Sequence, residues 1–163
     1  MLNFRDFISE SFDSPYPLSG GTTRNFELRD GTTYTANTPD GTLEIQFWQG
    51  SKKDWSVDFG INGEYTILLN SPNVFRILAT VLSAIKTFIE AHVQTYEKKP
   101  ELLTLTSYKT KINDPLSKSD EDRRHKVYMR MCERFASKEG YGIRVRSENK
   151  YNSLVSTIEL RSK

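Results

Sequence analysis

The chain has one cysteine and two histidines among its 163 residues, and that scarcity removes two chemistries at once. Cys132 has no second cysteine to pair with, and Cys132, His92 and His125 are not arranged at metal-ligand spacing. Neither a disulfide framework nor a zinc site is expected, and Cys132 reads as a reduced core residue. Long hydrophobic runs are missing too. The longest apolar segment, Val74 to Val93, is interrupted by Arg76, Lys86 and Glu90, which a membrane span does not tolerate. The opening MLNFRDFISESF carries Arg5, Asp6 and Glu10 among its apolar residues and does not read as a signal peptide. A cytoplasmic protein with no membrane partner is expected. An excess of one charge is also lacking: 23 Lys and Arg against 21 Asp and Glu leave +2, too little to demand a polyanionic partner. Asp13, Asp30, Asp40 and Asp114 adjoin Gly, Ser or Pro and are explained as turn residues. No catalytic, cofactor-binding or metal-binding residue is assigned, and no cofactor is expected.

A chain of this length is most simply one domain spanning residues 1–163. Its best-specified part is SDEDRRHKVYMRMCERFASKEGY, residues 119–141. Ser119 with Asp122 forms a capping-box-like start, and Asp120, Glu121 and Asp122 lie where the helix dipole favours negative charge. Gly140 ends the helix. Arg124, Val127, Tyr128, Met131, Cys132 and Phe135 recur at helical spacing, which puts Cys132 and Phe135 in the core.

Upstream, Phe4, Phe7, Ile8 and Phe12 form the apolar edge of an expected amphipathic helix over residues 1–12, stopped by the SPYP run at Ser14 to Pro17. Turn signals at Asp30-Gly31, Asp40-Gly41 and Asn62-Gly63 separate segments rich in Thr, Tyr, Phe, Ile and Val. Strands are expected near 24–28, 32–37, 42–48, 56–61 and 64–69. Leu43, Ile45 and Phe47 alternate with Glu44, Gln46 and Trp48, the mark of a sheet covered on one face. Asn70 or Ser71 is the expected cap of a second helix with Pro72 at its first position. Its buried face is Val74, Phe75, Leu78, Val81, Leu82, Ile85, Phe88 and Ile89. A strand at 102–107, a turn at Asn113-Asp114-Pro115, the capped helix and strands at 143–146 and 154–160 complete the order. The fold class is α+β: antiparallel hairpins, then helix-strand-helix, then a closing β-hairpin.

That order, carried by YTILLN, VFRILATVLSAIKTFIE, LLTLTS, RRHKVYMRMCERFASKEGY and the last two strands, resembles the GNAT acetyltransferase superfamily over the C-terminal three fifths. The resemblance implies a helix start that binds a cofactor pyrophosphate. The superfamily's glycine-rich loop is replaced here by Asn70, Ser71, Pro72, Asn73 and Val74, with no glycine and one amide donor fewer. The superfamily often places a tyrosine four residues before the Gly of its Gly-aromatic pair, and that position holds Ala136 here. Acetyl transfer is therefore an alternative reading. The segments FRDFISESFDSPYP and RRHKVYMRMCERFASKEGY resemble small proteins of tailed bacteriophages. That resemblance implies a viral origin, with the protein in the cytoplasm of an infected bacterial host or in the virion. It carries no functional residue across.

Three groups of side chains are worth placing in the fold. Asp54 and Asp58 flank Trp55 and mark either a cleft or one face of an exposed strand, the second being the simpler reading. His92 reads as a surface residue stabilised by the helix dipole, and His125 lies among Arg123, Arg124 and Lys126. Residues 118–163 hold 12 Lys and Arg against 7 Asp and Glu, a basic C-terminal third. Within it Arg123, Arg130, Arg134, Arg144 and Arg146 are the candidate partner-binding residues, with Tyr141 and Tyr151 as aromatics able to stack on unpaired bases. The expected function is binding to a host or viral protein, as a phage accessory or structural component. Nucleic-acid binding is the further alternative.

Overall fold

The computed structural model describes residues 14–20, 31–50, 54–63, 73–111, 118–150 and 153–163, with side chains outside the description at 106–111, 118–128, 147–150 and 153–156. The expected helix at 1–12, the strands at 24–28 and 64–69, the caps at Asn70 and Ser71, and the Asn113-Asp114-Pro115 turn lie outside the described residues. Among the described residues seven strands form one sheet: β1 (Ser19–Gly20), β2 (Thr32–Thr38), β3 (Gly41–Gln49), β4 (Asp54–Ile61), β5 (Leu102–Lys111), β6 (Tyr141–Lys150) and β7 (Ser153–Ser162). Helix α1 (Val74–Tyr96) joins β4 to β5, and helix α2 (Lys118–Glu139) joins β5 to β6. The protein is α+β, as its sequence order implied.

The strand order is β1-β2-β3-β4-β5-β7-β6. All pairs are antiparallel except β4 with β5, which the α1 crossover makes parallel. The closing hairpin folds back so that β7 enters between β5 and β6. Register then carries one hydrophobic row through five strands: Phe47 opposite Val57, Val57 beside Leu105, Leu105 opposite Ile158, and Ile158 opposite Val145. Because side chains alternate, this register puts Tyr34, Leu43, Ile45, Phe47, Trp55, Val57, Leu103, Leu105, Ile158 and Leu160 on one buried face. Both helices pack there, against the sheet and against each other.

All eight residues expected on the inner face of α1 are buried. So are Ile77, Ala79, Thr80, Ala84, Ala91 and His92, because neighbours surround the helix on more than one side. One of them is the Ser14–Leu18 strap. The Tyr16 amide donates to Thr80 Oγ1 at 2.9 Å, Arg76 Nε donates to the Ser14 carbonyl at 2.8 Å, and the Arg76 guanidinium lies 4.0 Å above the Tyr16 ring. The SPYP run thus becomes part of the wall around α1, while the helix it is expected to stop lies outside the described residues.

Helix limits differ slightly from expectation. The N-cap of α1 is Asn73, and it makes no side-chain cap hydrogen bond; its amide Nδ2 instead donates to Asp40 Oδ2 at 3.4 Å. Helix α2 includes Lys118, which places Ser119 in its first turn rather than at the cap. Gly140 ends it with φ +78°, a left-handed conformation suited to glycine. The Asn62-Gly63 turn has positive φ at both residues (51° and 81°), the left-handed conformation that Asn and Gly adopt most readily. Met131, Cys132 and Phe135 are buried as expected.

One small region ties three elements together. Glu97 leaves α1 in the left-handed conformation at φ 60°, its amide donating to the Val93 carbonyl at 2.8 Å. The carbonyl of the next residue, Lys98, lies 2.6 Å from His92 Nδ1. Lys99 Nζ donates to the Glu139 carbonyl at the end of α2, and Tyr141 Oη donates to the Pro100 carbonyl at 2.9 Å. The ends of both helices and the start of β5 are thus held by polar groups that the turn would otherwise leave unpaired.

Candidate functional site

The face of the sheet turned away from the helices is polar. It carries Thr33, Thr35 and Asn37 on β2, Glu44, Gln46 and Trp48 on β3, and Asp54, Ser56 and Asp58 on β4. Thr104, Thr157, Glu159 and Arg161 follow on β5 and β7, then Arg144 and Arg146 on β6. Charge is divided across it. Acids lie on β3 and β4, while cations gather on β7 and β6. Arg144, Arg146 and Arg161 are exposed, and the only carboxylate on those two strands of this face with a described side chain is Glu159. Glu159 Oε1 pairs with Arg146 Nε at 3.4 Å, the Glu159 side chain being 14% exposed and that of Arg146 51%. The pair does not cancel the patch, since Arg144 and Arg161 flank the same carboxylate: Arg144 is opposite Glu159 and Arg161 is two residues along β7.

The five candidate partner-binding residues are divided by the sheet. Arg144 and Arg146 project from the polar face. Arg130 and Arg134 are exposed on α2, which covers the opposite face, and the Arg123 side chain lies outside the described residues. Arg161, which alternation in β7 places beside Arg144 and Arg146, was not singled out from the sequence. The signal for it was available only through the register of the β6–β7 hairpin.

Tyr141 does not belong to this surface. It is 1% exposed, with its hydroxyl bonded to Pro100 and its ionisation pushed well above the usual tyrosine range by burial and by the Glu139 charge. Tyr151 lies outside the described residues. Among the described side chains, the exposed aromatic of the polar face is instead Trp48, at the other end, where its Nε1 donates to Gln46 Oε1 at 3.2 Å.

A second feature lies between β4 and β5. Their parallel ladder pairs only Asp54 to Val57 with Leu102 to Leu105, and each strand continues beyond it without the other among the described residues. Asp58 is the first β4 residue past the fork, half-buried on the polar face opposite Gln46, and burial pushes its carboxyl above the usual range. Asp54 is exposed on the same face, and Trp55 is a core residue. The two acids therefore share a strand face, as the simpler reading had it, and Trp55 lines no surface cleft.

His92 corrects the expectation of a surface position: it is 4% exposed, packed among Trp55, Phe88 and Tyr96. Burial lowers its tendency to protonate, with the Lys98 carbonyl opposing and the Lys98 charge assisting. A neutral ring donating Nδ1–H to that carbonyl is a structural clasp. The His125 side chain lies outside the described residues. Among the described residues no three His, Cys, Asp or Glu side chains form a metal-binding group, and no helix is long and apolar enough to cross a membrane.

No family model, curated protein or solved structure matches this chain.

Proposed function

We propose that this protein acts by binding another protein, host or viral, through the basic end of its polar sheet face, without catalysing a reaction. The observation that carries the proposal is the grouping of exposed Arg144, Arg146 and Arg161 on two paired strands, one of them the edge of the sheet. Exposed arginines grouped on a sheet face suit an acidic protein surface, because each guanidinium presents several donors in a fixed plane. Single-stranded nucleic acid ranks lower: its recognition draws on aromatic side chains for base stacking, and Tyr141 is buried. The resemblance of two segments to phage proteins favours a role as an accessory or structural component in an infected bacterium.

The test is affinity capture from infected cells, comparing the parent with Arg144→Glu/Arg146→Glu and recovering protein and nucleic acid from the same sample. The reversal and raised salt should both weaken capture of one protein partner, since both reduce electrostatic attraction. Capture unchanged by a folded double variant would reject the patch as the binding surface.

A second reading, acyl transfer of the GNAT kind, is favoured by one observation, the fork between β4 and β5 with half-buried Asp58 beside it. A carboxylate with a raised pKa is a better proton acceptor than an ordinary one. The reading ranks second because the start of α1 has Asp40 close to Asn73, and a carboxylate there opposes a pyrophosphate. Calorimetry with acetyl-CoA should give no specific heat; saturable binding lost on a substitution at the α1 start would promote acyl transfer to first place.

A further inference from the structure

On the helix side of the sheet, remote from the arginine patch, a groove of about 320 Å³ runs between α1 and α2. Its floor is apolar: Ala79 and Leu82 from α1, Phe135 from α2, and Pro15 from the strap. Among the described residues its rim is cationic, with Lys86, Arg134 and Lys138 beside one carboxylate, Glu139, and Ser83 adds a hydroxyl. Helical spacing produces this arrangement. Leu82 and Lys86 are four residues apart on α1, while Phe135 lies between Arg134 and Lys138 on α2, so each helix offers apolar floor and cationic rim from one side. The strap that supplies Pro15 is fixed to α1 by the Tyr16–Thr80 and Arg76–Ser14 hydrogen bonds, which hold that part of the floor in place.

We infer that this groove is a binding site for a small anion with an apolar body, a carboxylate or phosphate monoester attached to an aromatic or short alkyl group. The volume is at the lower end of the range of small-molecule sites, about 300–1,000 Å³, and is too small to seat a folded partner. The charge of the rim chooses an anion: Lys and Arg donors form charge-assisted hydrogen bonds to carboxylate or phosphate oxygens. The apolar floor chooses the body. An inorganic anion leaves the floor wet, and a neutral apolar molecule leaves the cations without a partner in the ligand. Glu139 at the rim disfavours a ligand with several anionic groups spread along its length. The site is independent of the protein-binding patch, because the sheet lies between them.

The probes are 4-phenylbutyrate and phenyl phosphate, with 4-phenyl-1-butanol and inorganic phosphate as controls lacking the charge or the body, all followed by calorimetry and by amide chemical shifts of the intact protein. Saturable binding of at least one of the two apolar anions is expected. The stronger binder should exceed both controls by about tenfold or more, the value of one charge-assisted hydrogen bond or of comparable apolar burial. Arg134→Gln/Lys138→Gln should weaken it by about tenfold or more. Ser83→Trp, which fills the groove and keeps every cation, should abolish it. Arg144→Glu/Arg146→Glu should leave it unchanged, so that failure here and failure of the protein-binding proposal are separable. Melting curves establish that each variant is folded. Should Ser83→Trp fail to fold, Ala79→Leu is the substitute that narrows the same groove. Absence of saturable binding by both anions overturns the inference, as does binding of the alcohol as tight as that of the acid, or binding unaffected in folded groove variants.

Discussion

Phe88 occupies the centre of the interface between α1 and the sheet, and its removal tests the packing most directly. The ring is fully buried, stacked on Phe47 with centroids 4.1 Å apart and planes 7° from parallel, and met edge-on by Trp55 at 4.8 Å. Phe88→Ala deletes the ring from a site closed by β3, β4 and α1, where large neighbours cannot swing inward to fill the space. Such truncations cost about 3–5 kcal/mol, and the loss of two aromatic partners places this one near the upper end, about 4–5 kcal/mol. That is a large share of the roughly 5–15 kcal/mol that stabilises a typical domain, and a chain of this size should melt about 10–15 °C lower. Urea denaturation of parent and variant, followed by tryptophan fluorescence and by far-ultraviolet circular dichroism, measures the change. The midpoint should fall with the slope unchanged, and Phe88→Leu should cost less than half as much because most of the volume is kept. A loss below about 1.5 kcal/mol for Phe88→Ala would refute the argument, since no well-packed ring stacked on a second ring in a closed core is removed so cheaply.

His92 should make stability pH-dependent: burial lowers its pKa in the fold, so the folded state binds fewer protons than the unfolded one near the ordinary histidine value of 6.5. Its contribution is complete above that value and is lost as pH falls below it toward the folded pKa, a slope that melts at successive pH values should show and His92→Phe should flatten. Glu97→Gly should stabilise the protein by up to about 1 kcal/mol in denaturant melts, because glycine adopts the left-handed conformation at φ 60° without steric cost. Gly140→Ala should destabilise by about 1–2 kcal/mol for the converse reason, the φ being +78° while the nearest atom to the new Cβ is the movable Lys99 Nζ. Phe135→Ala should cost about 3 kcal/mol, the lower end for its type, because the ring borders an open groove on one side.

Alternation in Leu43 to Trp48, the spacing from Val74 to Ile89 and the Asn62-Gly63 pair each determine local structure by themselves, because side-chain direction in a strand or helix follows from residue position alone. The α+β class follows from the order of such segments, and Cys132 and Phe135 follow from the period of α2. Strand length does not. Strand β6 extends from the expected 143–146 to Tyr141–Lys150 because β7 pairs with it along its whole length, and pairing is a property of two segments together. His92 looked like an exposed helix residue because nothing local announces that Trp55 and Phe88 close over it. The five arginines formed one basic set in the chain, yet alternation about the sheet plane sends Arg144 and Arg146 to one side while α2 carries Arg130 and Arg134 on the other. Arg161 entered the patch only through hairpin register. Local period sets which way a side chain points from its own element. What stands next to it depends on how elements distant in sequence pack, and that is why the core was legible in the residues while both candidate sites required the fold.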